Sequence, residues 1–374
     1  MIYFDAAATS MPKPPAVYTR ALVAMRAFAS PGRGGHRAAM RAAEAVYACR
    51  EAAGALFDAE PERVVFTMNA THGLNIAIKT LLRAGDEAVI SGFEHNAVTR
   101  PLHKLGVRTV VAGRKLFDPE DTLHAFDRAI TEKTRTVICT HVSNVFGYIL
   151  PVEKIAALCR ERGVPLILDA SQSAGVLPVH LQELGAAFIA MPGHKGLYGP
   201  QGTGILLCGR MPESLLEGGT GSLSELPQMP DFLPDAAEAG TQNVTGIYAL
   251  SAGLEFIQQR GEKSILEHEV RLRRRLSQAL RELPGAEIYE GAPQTGVLSV
   301  NFRGEDCERA SQRLAEHDIA VRAGLHCAPL AHESAGTLQT GTVRFSFSAF
   351  NTERQVARAA AVLKNSEHPY TRIC

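Results

Sequence analysis

Short apolar runs alternate with segments of helical spacing along the first half of the chain. From Arg63 onward, six runs are rich in β-branched or other apolar residues, and helical segments separate them. Continuous apolar runs between helices are typical of strands buried on both faces of a mainly parallel sheet. The pattern predicts an α/β fold, with one further strand at Ile205 to Leu207. The six runs are Val64 to Thr67, Ala88 to Ser91, Val107 to Ala112, Thr136 to Val142, Val164 to Asp169 and Ala187 to Ala190.

Helices are expected on both sides of this region. Two precede it, at Val17 to Phe28 and Ala38 to Phe57, and one long helix follows from Ile247 to about Leu283. The remainder mixes strands and helices in an α+β pattern. Its strands are expected at Val297 to Phe302, Ile319 to Arg322 and Val343 to Phe347, and its helices at Glu305 to Glu316 and Thr352 to Lys364.

This order of elements predicts two domains. The large α/β domain, with a mainly parallel seven-stranded sheet flanked by helices, should span residues 14–248. A smaller α+β domain should combine residues 1–13 with residues 249–374. A chain of 374 residues is long enough for both.

Composition excludes several classes of partner. The formal net charge is zero, whereas a nucleic-acid surface needs clustered excess Lys and Arg. No segment approaches the roughly 18 apolar residues of a membrane span, and the first residues lack the pattern of a signal sequence. We therefore expect a cytoplasmic protein without nucleic-acid or membrane partners. The seven cysteines, Cys374 being the last, show no metal-ligand spacing, so most should be buried thiols and no metal site is expected.

Polar residues follow the predicted strands where a parallel sheet binds its ligands, beyond the strand carboxyl ends. Ala70 and Thr71 open a helix, whose N–H groups favour a phosphate. His95, Asn144 and Asp169 follow three further strands. Each has a simpler interpretation: Thr71 or Asp169 could cap a helix, and His95 could be an ordinary hydrogen-bonded side chain.

A glycine-rich loop from Met191 to Gly204 surrounds Lys195. Glycines permit tight turns and close approach to a ligand, so Lys195 is a candidate Schiff-base lysine, with a solvated surface lysine as the alternative. A phosphate cradle, a planar stacking partner, a carboxylate and an amine are together what pyridoxal phosphate needs. The loop Ser30 to Arg37, with two arginines and a histidine, could also line an anion site or be a linker.

With these residues, the chain resembles cysteine desulfurases and their selenocysteine lyase relatives, within the class V aminotransferase-fold family of pyridoxal-phosphate enzymes. The resemblance runs from Tyr3-Phe4-Asp5-Ala6-Ala7 to the strand around Arg344. It implies the fold type I architecture of these enzymes and a homodimer.

The resemblance also implies a role for each cofactor-binding position. Lys195 would hold the cofactor covalently, Asp169 would pair with its ring nitrogen, and Gln172 would bind its ring hydroxyl. His95 would stack on the ring and shuttle protons. The phosphate would be bound by Ala70, Thr71 and His194, and by Thr241 of the partner subunit.

Three further positions concern the substrate. Asn144 and Arg344 would hold the substrate amino acid, Arg344 through its carboxylate. Cys327 would be the nucleophile that takes up sulfur as a persulfide. Only 17 positions separate Cys327 from Arg344, which is similar to the subgroup with a compact cysteine loop.

The sequence departs from the family pattern at three places. Pro192 stands where a serine is common, Ala70-Thr71-His72 replaces Thr-Thr-Glu or Ala-Thr-Glu, and Leu325 replaces the first histidine before the cysteine. These changes remove a hydroxyl from the phosphate site and an imidazole near the thiol.

Three functions follow as expectations. The first is conversion of L-cysteine to L-alanine, with sulfur passing through Cys327 to an acceptor protein or small thiol. The second is a lyase acting on L-selenocysteine, and the third is a sulfur-carrying scaffold with negligible turnover. A plain aminotransferase is a weaker fourth.

Overall fold

The computed structural model describes residues 1–31 and 34–365. Gly32 and Arg33 of the loop Ser30 to Arg37, and Cys374, lie outside the described residues. The strands are β1 Ile2–Tyr3, β2 Val64–Thr67, β3 Glu87–Ser91, β4 Arg108–Ala112, β5 Thr134–Thr140, β6 Leu166–Asp169, β7 Phe188–Pro192, β8 Gly204–Cys208, β9 Ala286–Tyr289, β10 Val297–Phe302, β11 Ile319–Ala320, β12 Arg322–Gly324 and β13 Thr342–Ser346.

The helices lie between and after these strands. They are α1 Pro15–Ala27, α2 Arg37–Phe57, α3 Ala70–Leu81, α4 Asn96–Leu105, α5 Pro119–Ala129, α6 Val152–Glu161, α7 Leu181–Leu184, α8 Val244–Arg260, α9 Glu262–Leu280, α10 Cys307–Glu316, α11 Pro329–Ala335 and α12 Glu353–Asn365. None of the described helices has both the length and the apolar character needed to cross a membrane.

A seven-stranded sheet with the order β2-β8-β7-β6-β5-β3-β4 organises the α/β region. Only β8 runs antiparallel to its neighbours β2 and β7, so the sheet is mainly parallel, as predicted. Successive residues of β6 enter different hydrophobic clusters, Ile167 on one face and Leu168 on the other. Burial on both faces explains the continuous apolar runs, since neither face needs polar residues.

The second part of the fold is a four-stranded antiparallel sheet with the order β12-β13-β10-β9. It packs with α9, α10 and α12 through a third apolar cluster, to which Ile2 and Phe4 of the N-terminal arm also belong. The arm reaches this region because β1 pairs with β11 in a separate two-stranded sheet. The division into domains at residues 13/14 and 248/249 stays a prediction.

Two predicted elements are each divided into two in the structure. The long helix expected from Ile247 to Leu283 is two helices, because Gly261 between α8 and α9 adopts φ 80°. That conformation interrupts helical hydrogen bonding, and glycine adopts it at little cost. The strand expected over Ile319 to Arg322 is also two elements, β11 and β12, which pair with different sheets.

Candidate active site

The strand ends predicted to carry chemistry meet at one edge of the large sheet. Asp169, the last residue of β6, lies in register with Thr140 of β5 and Ala190 of β7. Its side chain is buried, and its Oδ1 accepts a hydrogen bond from the N–H of Ser171 at 2.9 Å. No described helix begins at Asp169, so the alternative of a simple helix cap is wrong.

Lys195 follows β7 in a loop whose glycines are required by close packing. A Cβ at Gly196 would lie 2.3 Å from the carbonyl oxygen of Ala174, and one at Gly193 would lie 2.1 Å from Thr203 Oγ1. These glycines therefore pack against protein atoms. Lys195 lies at a small cavity of about 40 Å³, together with Gln172.

Electrostatics favour a reactive amine at this lysine. Burial lowers the pKa of Lys195 to about 8, while the nearby Asp169 carboxylate acts in the opposite direction. Desolvation penalises the charged amine more than the carboxylate stabilises it. A surface lysine would keep its ordinary pKa, so the environment indicates a functional amine.

His95 caps α4, because its Nδ1 accepts from the N–H of Ala97 at 3.0 Å. That bond places the ring proton on Nε2. Burial and the Lys195 cation lower the pKa of His95 to about 4, so the imidazole is neutral at physiological pH. The simpler interpretation of His95 as a hydrogen-bonded side chain is thus correct for Nδ1, and Nε2 stays available.

Sequence reasoning gave no role to Glu94, which anchors the turn before His95. Its Oε1 accepts from Ser91 Oγ at 2.5 Å and from the N–H of Thr140 at 2.7 Å. Burial raises the pKa of this carboxyl to about 8, which favours the neutral acid. No signal in the sequence indicates this role, because a glutamate in a predicted loop is normally exposed to solvent.

The N-terminus of α3 lies beyond β2 and is capped by Asn69, whose side chain accepts from the N–H of His72 at 3.0 Å. The N–H groups of Ala70 and Thr71 lie in the same first turn, where backbone N–H groups have no partner within the helix. His194, beside Lys195, has a buried Nδ1 without a hydrogen-bond partner among the described residues. These groups could meet an anion.

Thr241 lies apart from Lys195 in the single chain. It lines a different cavity of about 160 Å³ together with His72, Thr203 and Asn243. Its expected contact with a partner subunit's cofactor stays a prediction.

Arg344 lies on β13 and is almost completely buried. Its Nη1 donates to the carbonyl of Asn144 at 3.0 Å, and its Nη2 contacts Asp5 Oδ1 at 2.6 Å. The side-chain amide of Asn144 donates to the carbonyl of His326 at 2.9 Å. The two expected substrate-binding residues are therefore adjacent, and both contact protein groups.

Sequence reasoning also missed Asp5 and Arg322. Arg322 pairs in register with Arg344 across β12 and β13, and its charge acts on Lys195 and His95. No sequence motif indicates the pairing of Arg322 with Arg344. The two residues are 22 positions apart, and their register depends on the folded sheet. Asp5 lies 339 positions from its partner.

Cys327 is the exposed cysteine among the six described, and the other five are buried. His326 and Cys327 both have positive φ, 51° and 56°, in a tight turn after Gly324. The carbonyl of Cys327 accepts from the N–H of Asn96, the residue after His95, at 2.8 Å. This bond holds the cysteine loop against the start of α4, next to His95.

His326 is an uncharged imidazole at neutral pH. Its Nε2 lies 3.2 Å from the carbonyl of Arg322, which accepts the ring proton, and burial lowers its pKa to about 2. A neutral imidazole contributes no positive charge to a thiolate.

Comparisons with known proteins agree over the length of the chain. The family model described as aminotransferase class-V matches residues 2–359. A probable cysteine desulfurase of Methanothermobacter thermautotrophicus is 32% identical over 372 residues, which cover 95% of this chain and 92% of the relative. A cysteine desulfurase of Escherichia coli O139:H28 is 32% identical over 385 residues, covering 97% and 93%. The apo structure of a cysteine desulfurase from Thermococcus onnurineus NA1 superposes with a TM-score of 0.88 at 30% identity, covering 97% and 94%.

Proposed function

The chain belongs to the class-V aminotransferase family, and from that membership we propose that it is a pyridoxal-phosphate-dependent cysteine desulfurase. The observation that supports this most is the position of Cys327. The thiol of Cys327 is exposed, and its backbone carbonyl accepts from the N–H of Asn96, next to His95 at the strand edge that carries Asp169 and Lys195. A plain aminotransferase would need no nucleophile there.

The residues at the strand edge fit pyridoxal phosphate. Lys195 would bind the aldehyde, Asp169 would face the ring nitrogen, and His95 would lie against the ring. The first turn of α3 and the unpartnered Nδ1 of His194 supply donors for a phosphate. When bound, the cofactor supplies an electron sink for the substrate's Cα.

Thr71 would supply a further hydroxyl to the phosphate, and Gln172 would face the ring hydroxyl. In the single chain the Nε2 of Gln172 donates to the carbonyl of Ala7 at 3.0 Å, which fixes the side chain toward the arm. Pro192 contributes no hydroxyl, so the phosphate contacts rest on α3, His194 and Thr241.

Protons and charges would be handled by three side chains. The neutral form of Lys195 would accept the proton from the substrate's Cα, because its lowered pKa leaves part of the amine unprotonated near neutral pH. Asp169 would stabilise a positive charge on the ring nitrogen of the cofactor. Arg344 would bind the substrate carboxylate by charge-assisted hydrogen bonds.

Cys327 would take up the sulfur. Its thiolate would attack the substrate sulfur, and an S–S bond would form as the Cβ–S bond breaks. Cβ would then take up one proton, and Cα would regain the proton held by Lys195, which gives alanine. The thiolate and not the thiol is the nucleophile, so a base must remove the thiol proton. Burial lowers the pKa of His326 to about 2, which makes it too weak a base, so the base would be the incoming substrate amine or thiolate.

The partners follow from this chemistry. L-Cysteine would be the substrate, and an acceptor protein or small thiol would remove the persulfide sulfur from the exposed Cys327. Thr241 would complete the phosphate site of a second copy in a homodimer. A cytoplasmic location is part of this proposal.

The test is alanine formation from cysteine, selenocysteine and cysteine sulfinate by the wild type and by Cys327→Ala. We expect the variant to keep the cofactor's absorbance and to lose at least 100-fold in alanine formation from cysteine, roughly the effect of removing a nucleophile. Persistent turnover of selenocysteine alone would indicate a selenocysteine lyase.

Two other results would reject the proposal. Absence of alanine from all three substrates would leave the scaffold function, and amino transfer dependent on a keto acid would indicate an aminotransferase. Cys307→Ala is a matched control, because this cysteine is buried under the small sheet.

A further inference from the structure

Arg344 already contacts protein groups through both of its terminal nitrogens. Its side chain is 1% exposed, and its Nη2 contacts Asp5 Oδ1 at 2.6 Å. Its Nη1 donates to the Asn144 carbonyl, and its Nε is buried without a partner. A substrate carboxylate that binds the guanidinium through the Nη2 N–H now facing Asp5 must replace Asp5 there.

Asp5 is the partner that can move. Its side chain is 19% exposed, whereas the Asn144 carbonyl belongs to a buried backbone segment. The backbone of Asp5 is held independently, because its carbonyl accepts from Tyr3 Oη at 3.1 Å and from the N–H of Ala8 at 3.0 Å. Rotation of the Asp5 side chain into solvent therefore leaves the arm in place.

We propose that Asp5 is an internal competitor of the substrate: its carboxylate occupies Arg344 until the substrate's carboxylate replaces it. This inference rests on the proposed function, in which Arg344 binds the substrate amino acid. The exchange replaces one carboxylate by another, so Arg344 keeps a counter-ion throughout. Asp5 thereby sets the affinity for the substrate, since only molecules whose own carboxylate can replace that of Asp5 at Arg344 bind well.

The exchange should affect binding more than chemistry. Asp5 contacts Nη2, whereas Nη1 holds the Asn144 carbonyl. Asn144 in turn holds the His326 carbonyl beside Cys327. Replacement of Asp5 at Nη2 leaves this connection to the cysteine loop intact, so the thiol keeps its position.

The experiment compares the wild-type holoenzyme with Asp5→Asn, which keeps the shape but removes the competing charge. We expect the KM for cysteine to fall about threefold to tenfold, with kcat changed less than about twofold, because apparent affinity rises with the fraction of Arg344 left free. Thermal stabilisation by L-alanine should increase in the variant, and stabilisation by L-alaninamide, which lacks the carboxylate, should not.

A second variant covers the case in which Asp5→Asn does not fold. Tyr3→Phe removes the hydroxyl that donates to the carbonyls of Asp5 and Thr9, and should loosen Asp5 from Arg344. It should lower the KM in the same direction by a smaller factor.

The control is Glu305→Gln, which breaks the half-buried pair of Glu305 with Arg313 in another part of the fold. It should change neither the KM nor the response to L-alanine. An increased KM in Asp5→Asn would show that Asp5 positions the guanidinium, and an unchanged KM would show no role; either overturns the inference. Wild-type enzyme that forms no alanine would instead reject the proposed function, and the comparison of L-alanine with L-alaninamide would still test the exchange.

Discussion

At the scale of single residues, the amine of Lys195 depends most on its surroundings. Burial lowers its pKa to about 8, and the Asp169 carboxylate limits the decrease. Only the unprotonated amine attacks an aldehyde, so its reactive fraction grows as pH rises toward this pKa. An exposed lysine would reach the same fraction more than two pH units higher.

We therefore expect a defined pH dependence for cofactor attachment to the apo protein. The rate constant should rise about tenfold per pH unit below 8 and become level above it, because deprotonation is then complete. Absorbance after mixing with pyridoxal phosphate between pH 6 and 9.5 measures this rate. Lys195→Arg should not react, and a rate that still rises steeply at pH 9.5 would contradict the lowered pKa.

At the scale of elements, the start of α3 links helix stability to anion binding. Asn69 caps this helix, and the loss of an N-cap side chain costs about 1 kcal/mol. We expect Asn69→Ala to lower the free energy of unfolding by that amount and to weaken cofactor binding severalfold, because the first turn with Thr71 frays. Urea denaturation and equilibrium titration with pyridoxal phosphate measure the two effects.

Asp306→Ala is the matched control for this prediction. Asp306 caps α10 beside the small sheet, through a bond from the N–H of Glu308 at 2.8 Å. It should cost similar stability without changing cofactor affinity. Equal losses of affinity in both variants would mean that general destabilisation, and not the first turn of α3, explains the effect.

Elements differ in how well the sequence predicts them. The strands Val64–Thr67 and Val297–Phe302 begin and end as predicted, because apolar runs bounded by turn residues define them locally. The helix break at Gly261 was missed, since apolar spacing continues through it. A glycine inside a helical pattern is often tolerated, so the pattern alone cannot locate a break.

The candidate site shows the same division. Lys195 and Asp169 could be singled out because each lies at or just after the end of a predicted strand of a parallel sheet, where position alone brings residues together. The pair of Asp5 with Arg344 depends on the arm that reaches β13, which no local pattern indicates. Contacts between distant segments are fixed by packing, and the sequence contains them only indirectly.

At the scale of the whole molecule, a buried ion pair connects three distant segments. Arg50 of α2 and Glu238 are 6% and 3% exposed, and Glu238 Oε1 also accepts from the N–H of Phe66 in β2 at 2.6 Å. The guanidinium of Arg50 lies over the Phe66 ring at 4.5 Å. The pair thus joins α2, the edge of the large sheet and the segment before α8, which leads to Thr241.

We expect Glu238→Gln to destabilise the protein by about 3–5 kcal/mol, because it leaves the Arg50 cation buried without a counter-ion. Urea denaturation of the wild type and the variant measures the loss. Glu213→Gln is the control, since its pair with Arg83 is exposed on both sides and such pairs contribute less than about 1 kcal/mol. Similar losses in both variants would show that burial does not decide the contribution of the Arg50–Glu238 pair.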